Sequence, residues 1–534
     1  MTTGTTLDPD ALTLEAVRDG ALRDQPITVL GFARSGIALA RFLSDAGARV
    51  TVYDGRPAAE LDAAIAALDG RPVRLALGPA VEPGTAWHEA ALVTTSPSIN
   101  PDFPTTEPRL RAALGELVAR RAAGDRSVPA LVSEPDLFLR LCPAPTVGVT
   151  GTKGKTTTAS LTAALLSADP SHPTVLGGNI GIPIVERLPE LTPGHRVVYE
   201  LSELQLPTLS RGTTVAVYTN VTEDHIDRHG SLEAYRRVKR RLAELVDPAG
   251  ALVLNAEDPV VAGYSGLGTA PVVLYRFDRP VPGGVGVVDG WIVAAGVGRL
   301  EIAGGGAAGT GPGGRILPIE ELALPGRHNV SNALAAVAVA LLFGVAPDAI
   351  RRAAAEFSGV EHRLEPFALI DGVRFVNDSQ GTQPDAVAAA LRAFPAPVVL
   401  IAGGRDKGVD LSGLGPVVAE RAAAAVLIGE SGPALERLFR AAGLARTEQA
   451  PSLEAAVERA DTLAREALAE RTTTRDGQPG RSAGPATVLL SPAAASFDMF
   501  VDYAARGRAF KTAVAALARH RAENTANRAG GGDR

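Results

Sequence analysis

The chain is almost free of cysteine: Cys142 is the only one in 534 residues. An internal disulfide framework and a zinc site built from several thiolates are thereby excluded, and a reducing, cytoplasmic setting is expected. A broad positive charge is missing too. The formal net charge of −6 gives no general electrostatic reason to bind nucleic acid or an anionic membrane, so any polyanion must be met locally. Met1 to Asp24 lacks the apolar core of a secretory signal and reads, with Gln25, as a flexible leader over 1–25. The most apolar run, Ala333 to Ala346, falls short of the ~20 residues that span a bilayer and reads as a buried helix.

What is present, 46% hydrophobic and 21% charged residues, suits a globular protein. The length exceeds one core, and about three domains are expected. Pro26 to Gly31 reads as a buried strand, Gly31-Phe32-Ala33-Arg34-Ser35-Gly36 as a tight turn, Ile37 to Ala46 as a helix, and Ala48 to Tyr53 as a second strand closed by Asp54. This is a Rossmann-like βαβ unit with an acidic residue about 20 positions after the first glycine. Ala33 stands where a dinucleotide fingerprint has its middle glycine, which favours a nucleotide other than NAD. A strand over Ala91 to Thr95 empties into Ser96, on the edge where α/β sheets place ligands. The first domain is set at 26–142.

The central domain, 143–360, opens on Gly148-Val149-Thr150-Gly151-Thr152-Lys153-Gly154-Lys155-Thr156-Thr157-Thr158. A β-prone lead-in and a helical continuation flank it, which is the context of a phosphate-binding loop. Its glycines let backbone N–H groups converge on an anion, Lys155 neutralises phosphate oxygens, and Thr156 can offer a hydroxyl to Mg²⁺. The spacing is a variant one, because Val149 occupies the first glycine position of the strict motif. Gly177-Gly178-Asn179 forms a tight turn. Glu200 ends the apolar strand Arg196 to Glu200, where it either ligates Mg²⁺ or caps the strand in water. Past Thr214 to Thr219, the segment Asn220 to His229 gathers polar groups. His225 there suits a metal, although an exposed helix start explains the segment as well. The next helix, Leu232 to Val246, carries Lys239 beside its apolar stripe, which reads as part of a solvated basic face. Residues 280–314 read as glycine-rich hairpins and surface loops. Asn329 and Asn332 share one face of the helix that opens the apolar run.

The third α/β unit, 361–520, has polar loops at strand ends: Asn377 to Pro384, Gly403 to Gly408 and Ser491 to Asp498. Thr472 to Pro485 reads as a disordered loop and 521–534 as a disordered tail.

Taken in order, Gly-Val-Thr-Gly-Thr-Lys-Gly-Lys-Thr-Thr, Gly-Gly-Asn-Ile-Gly, Glu-Leu-Ser, Asn-Val-Thr-Glu-Asp-His, His-Asn-Val-Ser-Asn, His-Arg, Asn-Asp-Ser, Gly-Gly-Arg-Asp-Lys-Gly and Ser-Pro-Ala-Ala-Ala-Ser-Phe-Asp resemble the Mur ligases over about residues 26–515. The likeness is strongest to members that add glutamate to UDP-N-acetylmuramoyl-L-alanine. It implies a three-domain α/β ligase with a Rossmann-like first domain, a P-loop ATPase domain with a parallel sheet and a Rossmann-like C-terminal domain. It further implies ATP and Mg²⁺ as cofactors and an acyl-phosphate route to the amide. Lys155, His225, Lys239 and Lys407 become the catalytic set, with Thr156, Glu200, His225 and Lys239, the last as a carbamate, holding Mg²⁺. The loop from Gly148 to Thr157, Asn329, Asn332, Arg363 and Asp378 fall to ATP. Arg34, Ser35, Arg56, Ser96 and Asn179 fall to the nucleotide-sugar, and Thr382, Lys407, Ser496, Phe497 and Tyr503 to glutamate.

Two departures stand out. Glutamate-adding members ordinarily read Asp-Ser-Lys-Ala-Thr-Asn where this chain has Asp378-Ser379-Gln380-Gly381-Thr382-Gln383, and Asn where it has Lys153. A lost lysine removes a charge beside an anionic amino acid, and Gly381 is expected to loosen the loop. The lost lysine resembles a variant that adds L-glutamate ahead of a partner epimerase, and Lys153 also separates the chain from ordinary members, so L-glutamate is the first expectation and D-glutamate the alternative. Remoter readings are a folylpolyglutamate synthase-like ligase, a Rossmann oxidoreductase, which leaves the P-loop unexplained, and a nucleotide-binding regulator without turnover.

Overall fold

The computed structural model describes residues 6–180, 183–223, 230–324, 326–405, 411–472 and 484–530. They form an α/β fold of three sheets in two compact units, Met1–Phe357 and Ser358–Arg534.

The first sheet of the larger unit is wholly parallel, in the order Arg74–Leu77, Arg49–Asp54, Pro26–Leu30, Leu92–Thr95, Ala130–Ser133. Helices cover both faces, so the central strands are continuous apolar runs; Ile27 to Leu30 and Leu92 to Thr95 are buried throughout. Pairing of Leu30 with both Tyr53 and Thr95 brings Gly31, Asp54 and Ser96 to one edge.

The second sheet runs Arg315–Pro318, Trp291–Ala294, Val285–Val288, Val272–Tyr275, Ala251–Asn255, Val215–Tyr218, Thr146–Thr150, Arg196–Glu200, Thr174–Gly178. Its last seven strands are parallel, and the first three, of which Val285–Val288 is shared with them, form an antiparallel meander that includes the hairpin expected within 280–314. Helix Lys155–Ser167 packs on helix Arg327–Leu342, whose stretch from Ala333 to Leu342 is completely buried.

The smaller unit holds a six-stranded sheet, Glu365–Ile370, Val373–Asn377, Ala486–Leu490, Val398–Gly403, Ala424–Ile428, Thr447–Gln449. Only its first strand is antiparallel. Apolar cores line both faces.

Three sequence expectations need correction. The stretch read as a flexible leader carries a short helix, Leu14–Arg18, and buries Leu12, Leu14, Val17 and Leu22. Apolar residues at 12, 14, 17 and 22 give it a face worth burying. The 521–530 part of the tail read as disordered continues helix Tyr503–Gly530 instead, through good helix formers such as Ala522, Glu523, Ala526 and Arg528, and 531–534 lie outside the described residues. Lys239 does not lie on a solvated face: it is fully buried. The 473–483 part of the loop read as disordered lies outside the described residues.

Candidate active site

The strand Thr146–Thr150 lies between Val215–Tyr218 and Arg196–Glu200, so the loop that follows it meets the ends of both neighbours. Gly151 has φ +146 and Gly154 φ +84, conformations that side chains resist, and Gly154 starts helix Lys155–Ser167. Both are crowded as well. A Cβ at 151 would collide with Thr219 Oγ1, and one at 154 would lie 2.7 Å from Asn332 Oδ1. The result is a bare backbone arch opening onto a helix N-terminus, suited to an anion.

Residues after the strand Val215–Tyr218 clamp this arch. Thr152 N donates to the Asn220 carbonyl at 2.7 Å, and Lys153 N to Asn220 Oδ1 at 2.9 Å. In return Asn220 Nδ2 and Thr219 Oγ1 donate to the Lys153 carbonyl at 2.9 and 2.6 Å. Thr152 Oγ1 lies 2.9 Å from the Tyr235 hydroxyl and accepts from Thr222 N at 3.0 Å. Sequence reasoning missed Asn220 and Tyr235. Asn220 was visible as an amide directly after a buried strand, and Tyr235 as the one polar tip on an apolar stripe.

The lysine expected to meet phosphate, Lys155, is half-buried, and its Nζ donates to the Thr152 carbonyl at 2.9 Å. Thr156 is buried at the helix start, next to Thr157. Lys239 Nζ reaches the arch from beneath, donating to the Gly151 carbonyl at 3.0 Å and to Thr150 Oγ1 at 3.4 Å. Strand register sets Glu200 opposite Val149. Asn179 Nδ2 donates to Glu200 Oε1 at 3.1 Å, while Oε2 is buried with no hydrogen-bond partner among the described residues. A buried carboxylate oxygen without a donor is costly in itself and fits a cation. Asn332 anchors the helix pair, accepting from Thr158 Oγ1 at 3.1 Å and donating to Asn329 Oδ1 at 3.2 Å. His225 lies outside the described residues.

At the edge of the first sheet Asp54 accepts from Phe32 N at 2.9 Å and from both Nε and Nη2 of Arg56, at 3.0 and 2.8 Å. Burial pushes its pKa up, but these bonds outweigh it and hold the carboxyl below its ordinary value. Arg34 opens its helix on the exposed side, Ser35 is half-buried, and buried Ser96 Oγ lies 3.2 Å from Ser98 Oγ.

In the smaller unit Asp378 is enclosed: Ser491 Oγ donates to Oδ2 at 2.6 Å and Leu364 N to Oδ1 at 3.0 Å. Burial pushes this carboxyl up to about 6, against those two bonds and the charge of exposed Arg363. Arg506, unforeseen, is buried and donates to Ser379 Oγ, to the Ser379 carbonyl and to the carbonyls of Ala494 and Ala495. Its signal was an arginine on the apolar stripe of its helix, four residues before Phe510. Ser496 is buried, Phe497 exposed and Tyr503 half-buried, its carbonyl accepting from Ser379 Oγ at 2.7 Å. Lys407 lies outside the described residues.

A parallel sheet delivering an anion-ready arch to a helix N-terminus, with a carboxylate on the adjacent strand, defines a P-loop nucleotide-binding α/β protein. The Mur ligase middle domain matches residues 149–340, and the Mur ligase glutamate ligase domain matches residues 362–469. A UDP-N-acetylmuramoylalanine--D-glutamate ligase of Symbiobacterium thermophilum is 38% identical over 93% of this chain and 99% of its own. One from Geobacter metallireducens is 38% identical over 92% and 97%. In fold, the chain is similar to the crystal structure of the UDP-N-acetylmuramate-alanine ligase of Thermotoga maritima, with a TM-score of 0.50, 19% identity and coverage of 92% and 99%. The chain belongs to the Mur ligase family, ATP-dependent amide ligases of peptidoglycan synthesis. Among the described residues no helix is long and apolar enough to cross a membrane.

Proposed function

We propose that the protein joins D-glutamate to UDP-N-acetylmuramoyl-L-alanine with conversion of ATP to ADP and phosphate. The observation that carries this reading is similarity along nearly the whole chain to relatives named for that reaction. Those names favour D-glutamate over the L-glutamate expected from the 380–383 loop, and with it they remove the reason to invoke a partner epimerase.

A carboxylate does not condense with an amine in water. The γ-phosphoryl group passes to the L-alanyl carboxylate, ADP departs, the glutamate amine attacks the acyl phosphate and loses a proton, and phosphate leaves from the tetrahedral adduct. The loop amides from Gly151 to Thr156 and Lys155 are assigned to hold and neutralise the transferring phosphoryl group. Thr156 and the unpartnered Glu200 oxygen fit Mg²⁺, which when bound supplies charge neutralisation at phosphate oxygens. His225 and Lys239 are proposed for the same duty. A carbamate on Lys239 keeps one N–H, enough to retain the bond to Gly151. Arg34, Ser35, Arg56, Ser96 and Asn179 are assigned to the nucleotide-sugar. Asn329, Asn332, Arg363 and Asp378 are assigned to ATP, and Thr382, Lys407, Ser496, Phe497 and Tyr503 to glutamate.

The test is phosphate release from ATP, Mg²⁺ and UDP-N-acetylmuramoyl-L-alanine, with D- and L-glutamate in separate reactions, each with and without added bicarbonate. Turnover with D-glutamate alone is expected, stimulated by bicarbonate. Turnover with L-glutamate alone would move the assignment to the L-specific ligase, and silence with both would remove the ligase assignment.

A further inference from the structure

A cavity of about 480 Å³ lies where the short helix Leu14–Arg18, helix Arg34–Asp45 and the segment Ile184–Glu190 meet. Arg34 and Ser35 open the longer helix, whereas the cavity takes Arg41 to Gly47 at its other end, about 10 Å further along. The floor is apolar, made by Leu14, Val17, Phe42 and Pro189.

The rim carries three guanidinium groups, those of Arg18, Arg23 and Arg41, in a chain whose formal net charge is −6. Arg18 Nη2 donates to the carbonyls of Pro189 and Leu191 at 2.9 Å each, neutral acceptors that leave its charge in place. Arg23 lies along two glycines of positive φ, Gly20 at +94 and Gly47 at +83; a Cβ on the first would stand 3.5 Å from its Cζ, and one on the second 3.6 Å from its Cα. Two carboxylates share the rim, Asp45 and Glu186. Asp45 is held by Arg71, whose Nε and Nη2 donate to its two oxygens at 2.7 and 2.9 Å. Glu186 Oε1 is 3.8 Å from Arg41 Nη1, beyond hydrogen-bond reach. Three cations thus face one uncommitted carboxylate above an apolar floor, a setting complementary to a molecule that is apolar at one end and anionic at the other.

We infer that this cavity is a binding site for an aliphatic carboxylate, its chain on the floor of Leu14, Val17 and Phe42 and its anionic head among Arg18, Arg23 and Arg41. Such a ligand joins the leader, the helix and the segment after Ile184, and the inference does not rest on the ligase reading.

The experiment is calorimetric titration of the full chain with hexanoate, octanoate and decanoate, and with octanol as the uncharged counterpart, each alone and with ATP and UDP-N-acetylmuramoyl-L-alanine added. One site per chain is expected, with affinity rising on the order of tenfold for every two methylenes and octanoate about tenfold tighter than octanol. Neither nucleotide should compete. Arg23→Ala and Arg41→Ala should each weaken decanoate by about tenfold with little change in melting temperature, whereas Glu186→Gln should tighten it by removing the opposing charge. Equal binding of octanoate and octanol overturns the inference, and so does decanoate binding that survives both arginine variants. Competition by either nucleotide overturns it too, because the ligand would then occupy a site already assigned, and so does a decanoate titration without heat of binding. Should either arginine variant fail to fold, the comparison of octanoate with octanol on the parent still decides.

Discussion

Glu134 opens helix Glu134–Leu141 with its side chain enclosed, accepting from Val185 N at 3.3 Å. Burial drives its pKa from the ordinary 4.5 up to about 7, against the Val185 bond and the charge of Arg34. The sign follows from proton counting. Below pH 4.5 the group is neutral in both states and costs nothing. Between 4.5 and about 7 the unfolded chain ionises while the folded one keeps its proton, so stability falls as pH rises, by about 3 kcal/mol in all, and the loss persists above 7. Glu134→Gln removes the titration. Its melting temperature should match or trail the parent near pH 4.5 and exceed it at pH 8, as read by calorimetry across that range; parallel curves would refute the assignment. Composition gave no hint of this, because an acidic residue at a helix start is ordinarily a solvated partner for the helix dipole. Lys239 was misread for the same reason: its neighbours Arg236, Arg237, Arg240 and Arg241 suggest solvent, yet the phosphate arch lies over its amine.

Strand, arch and helix were legible as one element because their determinants are local: β-prone residues, glycines at two positions of positive φ, and a helical run after Lys155. The partners that hold the arch were not legible, since Asn220 and Asn332 come from elements about 70 and 180 residues downstream. The Gly381 loop illustrates the same limit: expected to be loose, it is packed tight, a Cβ there colliding with Asp378 Oδ2 and lying 2.5 Å from Ser491 Oγ, a residue 110 positions downstream. Gly154→Ala tests the arch directly. The new methyl meets both an adverse φ of +84 and Asn332 Oδ1 at 2.7 Å. Backbone strain of about 1–2 kcal/mol is expected to fall on the loop and to separate helix Lys155–Ser167 from helix Arg327–Leu342. KM for ATP should rise by about tenfold or more with KM for glutamate little changed. Equal affinity for ATP in parent and variant would show that the arch does not carry the phosphate.

Within the larger unit one apolar cluster runs from the first sheet, with Ile27 and Val29, into the central sheet, with Val197 and Tyr199. Leu12, Leu14, Val17 and Leu22 belong to that same cluster, and polar contacts tie the segment down further. Arg18 Nη2 donates to the carbonyls of Pro189 and Leu191 at 2.9 Å each, Asp10 pairs with Arg140 at 2.6 Å and with Arg211 at 3.5 Å, and Leu7 N donates to the Ala91 carbonyl at 2.9 Å. The segment thus bonds to residues on both sides of the join between the two sheets. Each enclosed leucine or valine contributes about 1.5–3 kcal/mol as an upper bound, whereas the exposed ion pairs add little. Removing residues 1–24 should therefore lower the melting temperature of the whole protein by several degrees and expose enough apolar surface to bind a hydrophobic dye. Arg18→Ala alone, which keeps the leucines, should cost only about 1 kcal/mol. Because the two sheets carry the loops assigned to nucleotide-sugar and to ATP, the truncated enzyme should also bind UDP-N-acetylmuramoyl-L-alanine more weakly. A truncated protein with the parent's melting temperature and nucleotide-sugar affinity would mean that the segment merely covers a surface and that the cluster behind it holds the two sheets together unaided.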